Sequence, residues 1–382
     1  MEPFDVAIIG AGPAGSSAAI ALAGKGYSVA LLDKEQFPRE KLCGDFLNPV
    51  NWPMLRVLKV EEAVLACPHE KIETVHFTDF SGAEAEIPLS ASGDRTTTGL
   101  GLRRIDLDRV LLQRAESSGV TVLDGCKPRE LERESHGWRL KMDKPHVPGA
   151  LGARVLIGAD GRNSWVAHRV GLANSAAMQG RSVGFQFRLK CANRATGKVE
   201  IHLFPGGYAG VVGVGADTVT LGMAIEKHRL PAGRPEEFLL ESILPQNPWL
   251  KTLLRNGSAS AMRSTYPVYC PPRRAYGDGV LLVGDAARVN EPVTGEGIYF
   301  ALKSGALAAD TLDAAFQEND FSAARFRSYA RDCRSAFGAR RVVNHLIRRL
   351  IYCPGLVAPL IRFSAKRRRL LGSLVQTICQ PA

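Results

Sequence analysis

The sequence predicts an interleaved α/β fold: a three-layer domain around a parallel sheet, an inserted, mostly antiparallel β domain, and a helical C-terminus. Three observations predict it. An apolar strand enters a glycine-rich turn and a small-residue helix at residues 4–26. From about 180 to 270 the pattern changes to alternating strand-like segments. After them, GVLLVGDAA and GIYFALKSGALAADTL return to a buried strand followed by a helix.

In order, FDVAII is the first strand, SSAAIALAGKG the first helix and YSVALLDK the second strand, a β-turn-α-β unit. IDLDRVLLQRAESSG is amphipathic, and VTVLDG and ARVLIGADG read as further buried strands. SVGFQFRLK, KVEIHLF, YAGVVGV and TVTLGMAI supply the inserted sheet. These segments assign residues 1–75, 101–175 and 273–324 to the parallel-sheet domain. Residues 76–100 and 176–272 go to the inserted domain, and 325–382 to a basic helical region.

With 45% hydrophobic and 23% charged residues the chain can bury a large core. No run of about twenty apolar residues suggests a spanning helix. The start MEPFDVAIIGAG lacks the basic segment of a signal peptide, so the expected location is cytoplasmic. The eight cysteines form no CxxC pair and are expected to be reduced thiols. The eight histidines show neither HxH nor HExxH spacing, so no metal is expected. The net charge of +11 belongs to the tail: from Arg325 onward there are 13 Lys and Arg and one acid, Asp332. With Arg348-Arg349 and Lys366-Arg367-Arg368-Arg369 flanking the apolar LIYCPGLVAPLI, the tail suggests peripheral docking on the inner face of a membrane. The alternative is a helix packed on the protein's own body with a solvated basic face. No nucleic-acid-binding module accompanies the charge.

Gly10-Ala11-Gly12-Pro13-Ala14-Gly15 is a G-x-G-x-x-G run directly after a strand and opening a helix. Gly10 permits the tight turn, Gly12 lets main chain approach a diphosphate, and Gly15 lets helix and strand pack closely. Asp33, at the end of the second strand with Lys34 after it, stands where an acid binds a ribose hydroxyl pair. This constellation predicts a Rossmann-type dinucleotide site. The loop Pro38-Arg39-Glu40-Lys41-Leu42-Cys43-Gly44-Asp45 allows close approach to a flat ring; alone, it also reads as a surface loop with a buried Cys. Gly158-Ala159-Asp160-Gly161 and Gly284-Asp285 follow strands, and Pro292-Val293-Thr294-Gly295-Glu296-Gly297-Ile298 opens a helix with free N–H donors.

In this order, the G-x-G-x-x-G run with Asp33, Arg104-x-x-Leu107-Asp108, Gly158-x-Asp160-Gly161, and Gly284-Asp285 with PVTGEG resemble the single-component flavoprotein hydroxylases of the p-hydroxybenzoate hydroxylase type over residues 4–310. The Lys-x-Cys-Gly-Asp loop, Gly206-Gly207-Tyr208 and Thr-Gly-Glu-Gly-Ile look more like the geranylgeranyl reductase branch, related to the flavin halogenases. Two details depart from that branch: Ala209-Gly210-Val211-Val212 follows Tyr208, and Glu291-Pro292 replaces Asp-Pro. The Trp-x-Trp-x-Ile-Pro stretch of many halogenases is missing.

The resemblance implies an FAD-dependent oxidoreductase. Gly10, Gly12, Pro13, Ala14, Gly15, Asp33 and Lys34 would hold the ADP part, with Arg104 near the diphosphate. Cys43 and Gly44 would lie near the flavin, Gly284 and Asp285 at the ribitol, and Gly295, Glu296, Gly297 and Ile298 facing the isoalloxazine. Asp160 and Gly161 would bridge FAD and a transient NAD(P)H. Cys43 is the candidate catalytic residue, with a small buried hydrophobe as the alternative. Tyr208 and Tyr266 are candidate substrate walls, with aromatic core filling as theirs. The expected substrate is a lipophilic isoprenoid- or polyketide-like molecule. Double-bond reduction and hydroxylation both remain open, and a non-catalytic flavin-binding membrane protein is a third reading.

Overall fold

The computed structural model describes residues 3–89, 98–143, 149–173, 182–191, 196–233 and 235–352, together with Val375, Ile378 and Cys379. The expected apolar tail segment and the Lys366–Arg369 cluster lie outside these residues.

Phe4–Ile9 forms the centre of the first sheet because it is apolar on both faces. Val6 and Ile8 point to one side and Ala7 and Ile9 to the other, all of them buried. It pairs in parallel with Val29–Leu32 and with Ala150–Gly158; Val280–Leu282 continues the parallel order beyond the latter. On the first face pack the helices Pro13–Ala23, Arg104–Ser117 and Gly297–Glu318; on the second, the antiparallel hairpin Lys127–Glu134 and Gly137–Asp143 closes the third layer. Trp138 anchors that hairpin by donating from Nε1 to the Gly279 carbonyl at 2.7 Å. Each fully buried Leu or Ile in such a sandwich contributes roughly 1.5–3 kcal/mol.

The second sheet joins two stretches distant in sequence. Thr74–Thr78 and Glu84–Pro88 come from the first; Ser182–Lys190, Lys198–Phe204, Gly207–Gly213 and Thr218–Glu226 come from the second. Its pairings are antiparallel except where Lys198–Phe204 lies parallel to Thr74–Thr78. Val75 and Phe77 stand opposite Val199 and Ile201, so four apolar side chains share one face.

One expectation needs correction. Thr121–Leu123 is the edge strand of the first sheet, and its side chains are exposed or half-exposed rather than buried, because only Val29–Leu32 covers it. The first half of the basic region, Arg327–Ile351, is a helix packed on the body, the alternative the sequence left open for it. Tyr329, Cys333, Phe337 and Asn344 form its buried stripe, and the Tyr329 hydroxyl donates to the Leu282 carbonyl at 3.0 Å. No described helix is long and apolar enough to cross a membrane.

Candidate functional site

A cavity of about 700 Å³ is lined from both sheets. Its turn side begins at the first helix. Gly10 has φ +109°, and a Cβ there would fall 2.4 Å from the Ala159 carbonyl oxygen. A Cβ on Gly15 would fall 1.9 Å from the Gly10 oxygen, so neither position admits a side chain. Gly12 differs: its Cβ would meet nothing nearer than an Arg39 nitrogen at 3.7 Å. Open space at the helix N-terminus, with Pro13 and Ala14 beside it on the wall, is what an anionic group approaching the main chain requires.

Charges are organised around that space. Asp33 accepts from the Ala11 amide at 2.9 Å, the Glu35 amide at 3.0 Å and Arg39 at 3.2 Å. Arg39 also reaches Asp108 at 2.9 Å, and Arg104 grips Asp108 with two bonds of 2.8 Å. Burial opposes the Arg104 charge, but the fully buried Asp108 more than restores it. Lys41 lines the same wall; burial, followed by the guanidinia of Arg104, Arg39 and Arg162, lowers its ammonium. A concentration of cations that weakens its own lysine suits a diphosphate.

Farther along stand Asp160, Gly161 and Asp285. Asp160 accepts from the Val166 amide at 3.1 Å, while its other oxygen is buried without a hydrogen-bond partner, and burial raises its carboxyl. Such an orphaned acceptor fits a ligand hydroxyl. Asp285 lies 3.8 Å from Arg162 and is partly exposed to the cavity. Gly44 and Gly297 also line it, with nothing within 4 Å of their Cβ positions, whereas Gly295 is backed by the Phe46 ring. Lys34 and Ile298 complete the predicted residues on this wall. The open main chain at Gly12, the cations around it and the open space at Gly44 and Gly297 fit a dinucleotide carrying a flat ring.

Cys43 is half-buried on the cavity wall; burial pushes its thiol up, and the nearby Arg104 only partly offsets this. It is a protonated thiol, not an activated thiolate. The loop carrying it is pinned by Asp45, a fully buried carboxylate at φ +55°. Asp45 accepts from the Arg104 amide at 3.0 Å and the Thr220 hydroxyl at 2.8 Å, and pairs with Arg188 at 3.1 Å. Gln186 donates to the Cys43 carbonyl at 2.8 Å.

The sheet side is apolar. Val75, Phe77, Val199 and Ile201 face the cavity with Val293 and Ile378. Tyr208 lines it too, donating to Glu291 at 2.7 Å; burial and that carboxylate raise the phenol far above its ordinary value. Glu291 is in turn held by Asn344 and by Arg348 at 3.4 Å.

Four predicted residues do not line this cavity. Gly15 is a packing residue, and Gly284 is pressed against Ala14. Glu296 turns away to bond Arg340 at 2.9 Å, anchoring the last helix. Tyr266 points outward against Lys227, while its neighbours Thr265 and Val268 face the cavity, so it is no substrate wall. Sequence reasoning missed the Asp33–Arg39–Asp108–Arg104 chain, although the i,i+4 spacing of Arg104 and Asp108 was a usable signal. The Asp45 partners and Asn344 left no local signal.

Among curated relatives, a digeranylgeranylglycerophospholipid reductase from Methanopyrus kandleri is 28% identical over 353 residues, 88% of this chain and 83% of its own. The fold is shared with a geranylgeranyl bacteriochlorophyll reductase-like protein from Thermoplasma acidophilum, at a TM-score of 0.82 and 20% identity over 99% of this chain and 96% of that one. A flavin-dependent brominase superposes with a TM-score of 0.81 at 22% identity, over 99% of this chain and 94% of its own. The family described as FAD binding domain matches residues 3–344, so this chain belongs to that family.

Proposed function

We propose that this FAD-dependent oxidoreductase reduces carbon–carbon double bonds of a lipophilic, isoprenoid-like substrate. One observation carries the reading: the wall facing the proposed flavin position is a continuous apolar surface built by Val75, Phe77, Val199 and Ile201 on paired strands. Such a surface takes up a hydrocarbon chain by burial and offers no grip on a polar one. The names of the curated reductase and of the Thermoplasma structure support the same class.

The site residues then take these roles. Gly10, Gly12, Pro13, Ala14, Asp33, Lys34 and Arg104 hold the adenosine diphosphate, and Gly15 supports the turn. Asp160, Gly161 and Asp285 hold the chain that links it to the ring, with Gly284 behind them. Gly44, Gly295, Gly297 and Ile298 shape the ring's bed, and Glu296 fixes that bed through Arg340. Held by these residues, FAD would supply the hydride chemistry for one alkene carbon, with NAD(P)H the proposed source of its electrons. The Cys43 sulfur holds the proton needed by the neighbouring carbon and recovers one from solvent. Tyr208, fixed by Glu291, marks the polar limit of the apolar wall. The second sheet is thus the proposed substrate domain. Docking of the basic tail on an anionic membrane would suit delivery of such a substrate, and flotation with anionic vesicles tests it.

The decisive experiment is single turnover without air. Photoreduced, FAD-loaded protein mixed with a geranylgeranyl lipid should reoxidise and yield a product heavier by two hydrogens per double bond. Cys43→Ser should slow this while retaining FAD. Substrate-stimulated oxygen uptake with a hydroxylated product, and no anaerobic turnover, would replace reduction by hydroxylation.

A further inference from the structure

The Gly284–Asn290 segment separates the main cavity from a second one. Asp285 and Val289 line the first, Gly284, Ala287 and Arg288 line the second, and Asn290 borders both. The second cavity measures about 360 Å³. Arg274 and Arg288 reach it from the segment's own side, and Arg334 and Arg341, two turns apart, reach it from the last helix. No Asp or Glu is among the residues that line it. Arg273 also borders it, but its guanidinium is committed to the carbonyls of Ala286 and Arg162.

Arg288 and Arg341 are half-buried, and neither joins an ion pair among the described residues. The Nε of each is buried without a hydrogen-bond partner. Burial lowers both guanidinia; a hydrogen bond with Tyr269 partly offsets this for Arg288, and the Arg288 charge further lowers Arg341. Two like charges partly withdrawn from water, each with an unpartnered Nε and no carboxylate on the cavity wall, are unfavourable until an anion completes them. Arg341 lies over the Phe337 ring at 5.1 Å and Arg274 over Tyr276 at 4.9 Å, which fixes the planes of the guanidinia while their edges remain available. Planar forks converging from two directions match the tetrahedral oxygens and double charge of a phosphate better than a single carboxylate.

We infer that this cleft is a phosphate-binding site, separate from the cofactor's diphosphate position at Gly12, for a phosphate group free or carried on a small ester. The test uses FAD-saturated protein, so that the main site is already filled. Inorganic phosphate is titrated at constant ionic strength, by calorimetry and by thermal unfolding. Saturable binding and a rise in Tm are expected. Arg288→Gln and Arg341→Gln should each weaken binding by about tenfold and leave FAD content unchanged. Arg334→Gln, at an exposed position on the rim, should weaken it without disturbing folding, and Arg341→Lys should restore part of what Gln loses. Glycerol phosphate binding more tightly than inorganic phosphate would assign an ester-borne group, and equal binding a free one. Absence of saturable binding, or the same rise in Tm in parent and variants as from an excluded salt, would overturn the proposal.

Discussion

On its turn side the cavity is made of main-chain amides and paired charges, whereas on its sheet side it is made chiefly of apolar side chains, among them those alternating out of two paired strands. The first material is exacting. With a diphosphate in the proposed position Gly12 would admit no side chain, and Asp33, Arg39, Asp108 and Arg104 depend on one another in a chain. The second is permissive, because an apolar wall constrains volume more than identity. On the proposed roles, the contrast teaches that cofactor recognition would sit in positions that tolerate little change, and substrate selection in positions that can drift.

Substitutions on the two sides should therefore fail differently. The largest effect is expected on the turn side: Gly12→Val fills the space the diphosphate needs, so the purified protein should lose its bound flavin absorbance. Full flavin occupancy in that variant would refute the placement. On the sheet side, Ile201→Trp should keep the flavin yet raise KM for a long isoprenoid roughly tenfold, through 1–3 kcal/mol of overpacking. A short-chain substrate should be affected less; equal losses for both lengths would mean that the wall does not contact the chain.

The smallest effect concerns the reverse face of the second sheet, where His76 and His202 flank Glu200 beneath Trp249, with Glu84 against His76. Burial alone would raise Glu200, but hydrogen bonds from His202 and His76 hold it at about 2. The bond to Glu200 raises His76 above its ordinary 6.5, burial opposing it. The lowered Glu200 contributes stability above about pH 4.5, lost as pH falls toward 2; the raised His76 contributes stability below about 6.5, lost as pH rises through its folded value. Tm should thus be highest in mild acid, and Glu200→Gln should flatten both flanks. An unchanged pH profile in the variant would remove this network from the stability of the sheet.

The same contrast explains what could be read in advance. The turn side was legible because its constraints are local: a strand, three glycines, a helix and an acid within thirty-three residues. The order of the later motifs likewise carried the family. The alternation of the sheet strands was legible as well, but which residues meet the cavity depends on register between segments over a hundred residues apart, as with Phe77 and Ile201. Tyr266 was misplaced for that reason: sequence gives a tyrosine near the sheet, not the direction in which it points. For the basic tail the sequence left docking and packing open, since its charge hid the stripe of Tyr329, Cys333 and Phe337 that fastens the helix to the body. A truncation near Asn344 would cut into the support of Glu291 rather than remove a free appendage.

Asp45 has a consequence for the order in which the protein is made. Its carboxylate is satisfied by Gln186 and Thr220, which leave the ribosome 141 and 175 residues later. Until then the loop bearing Cys43 and Gly44 lacks its fixed end, although the glycine-rich turn was synthesised first. With the ring in its proposed place, a nascent chain carrying the whole dinucleotide signature would still offer it no bed. Flavin capture would then be a late event that awaits the second sheet, because contacts so distant in sequence close slowly.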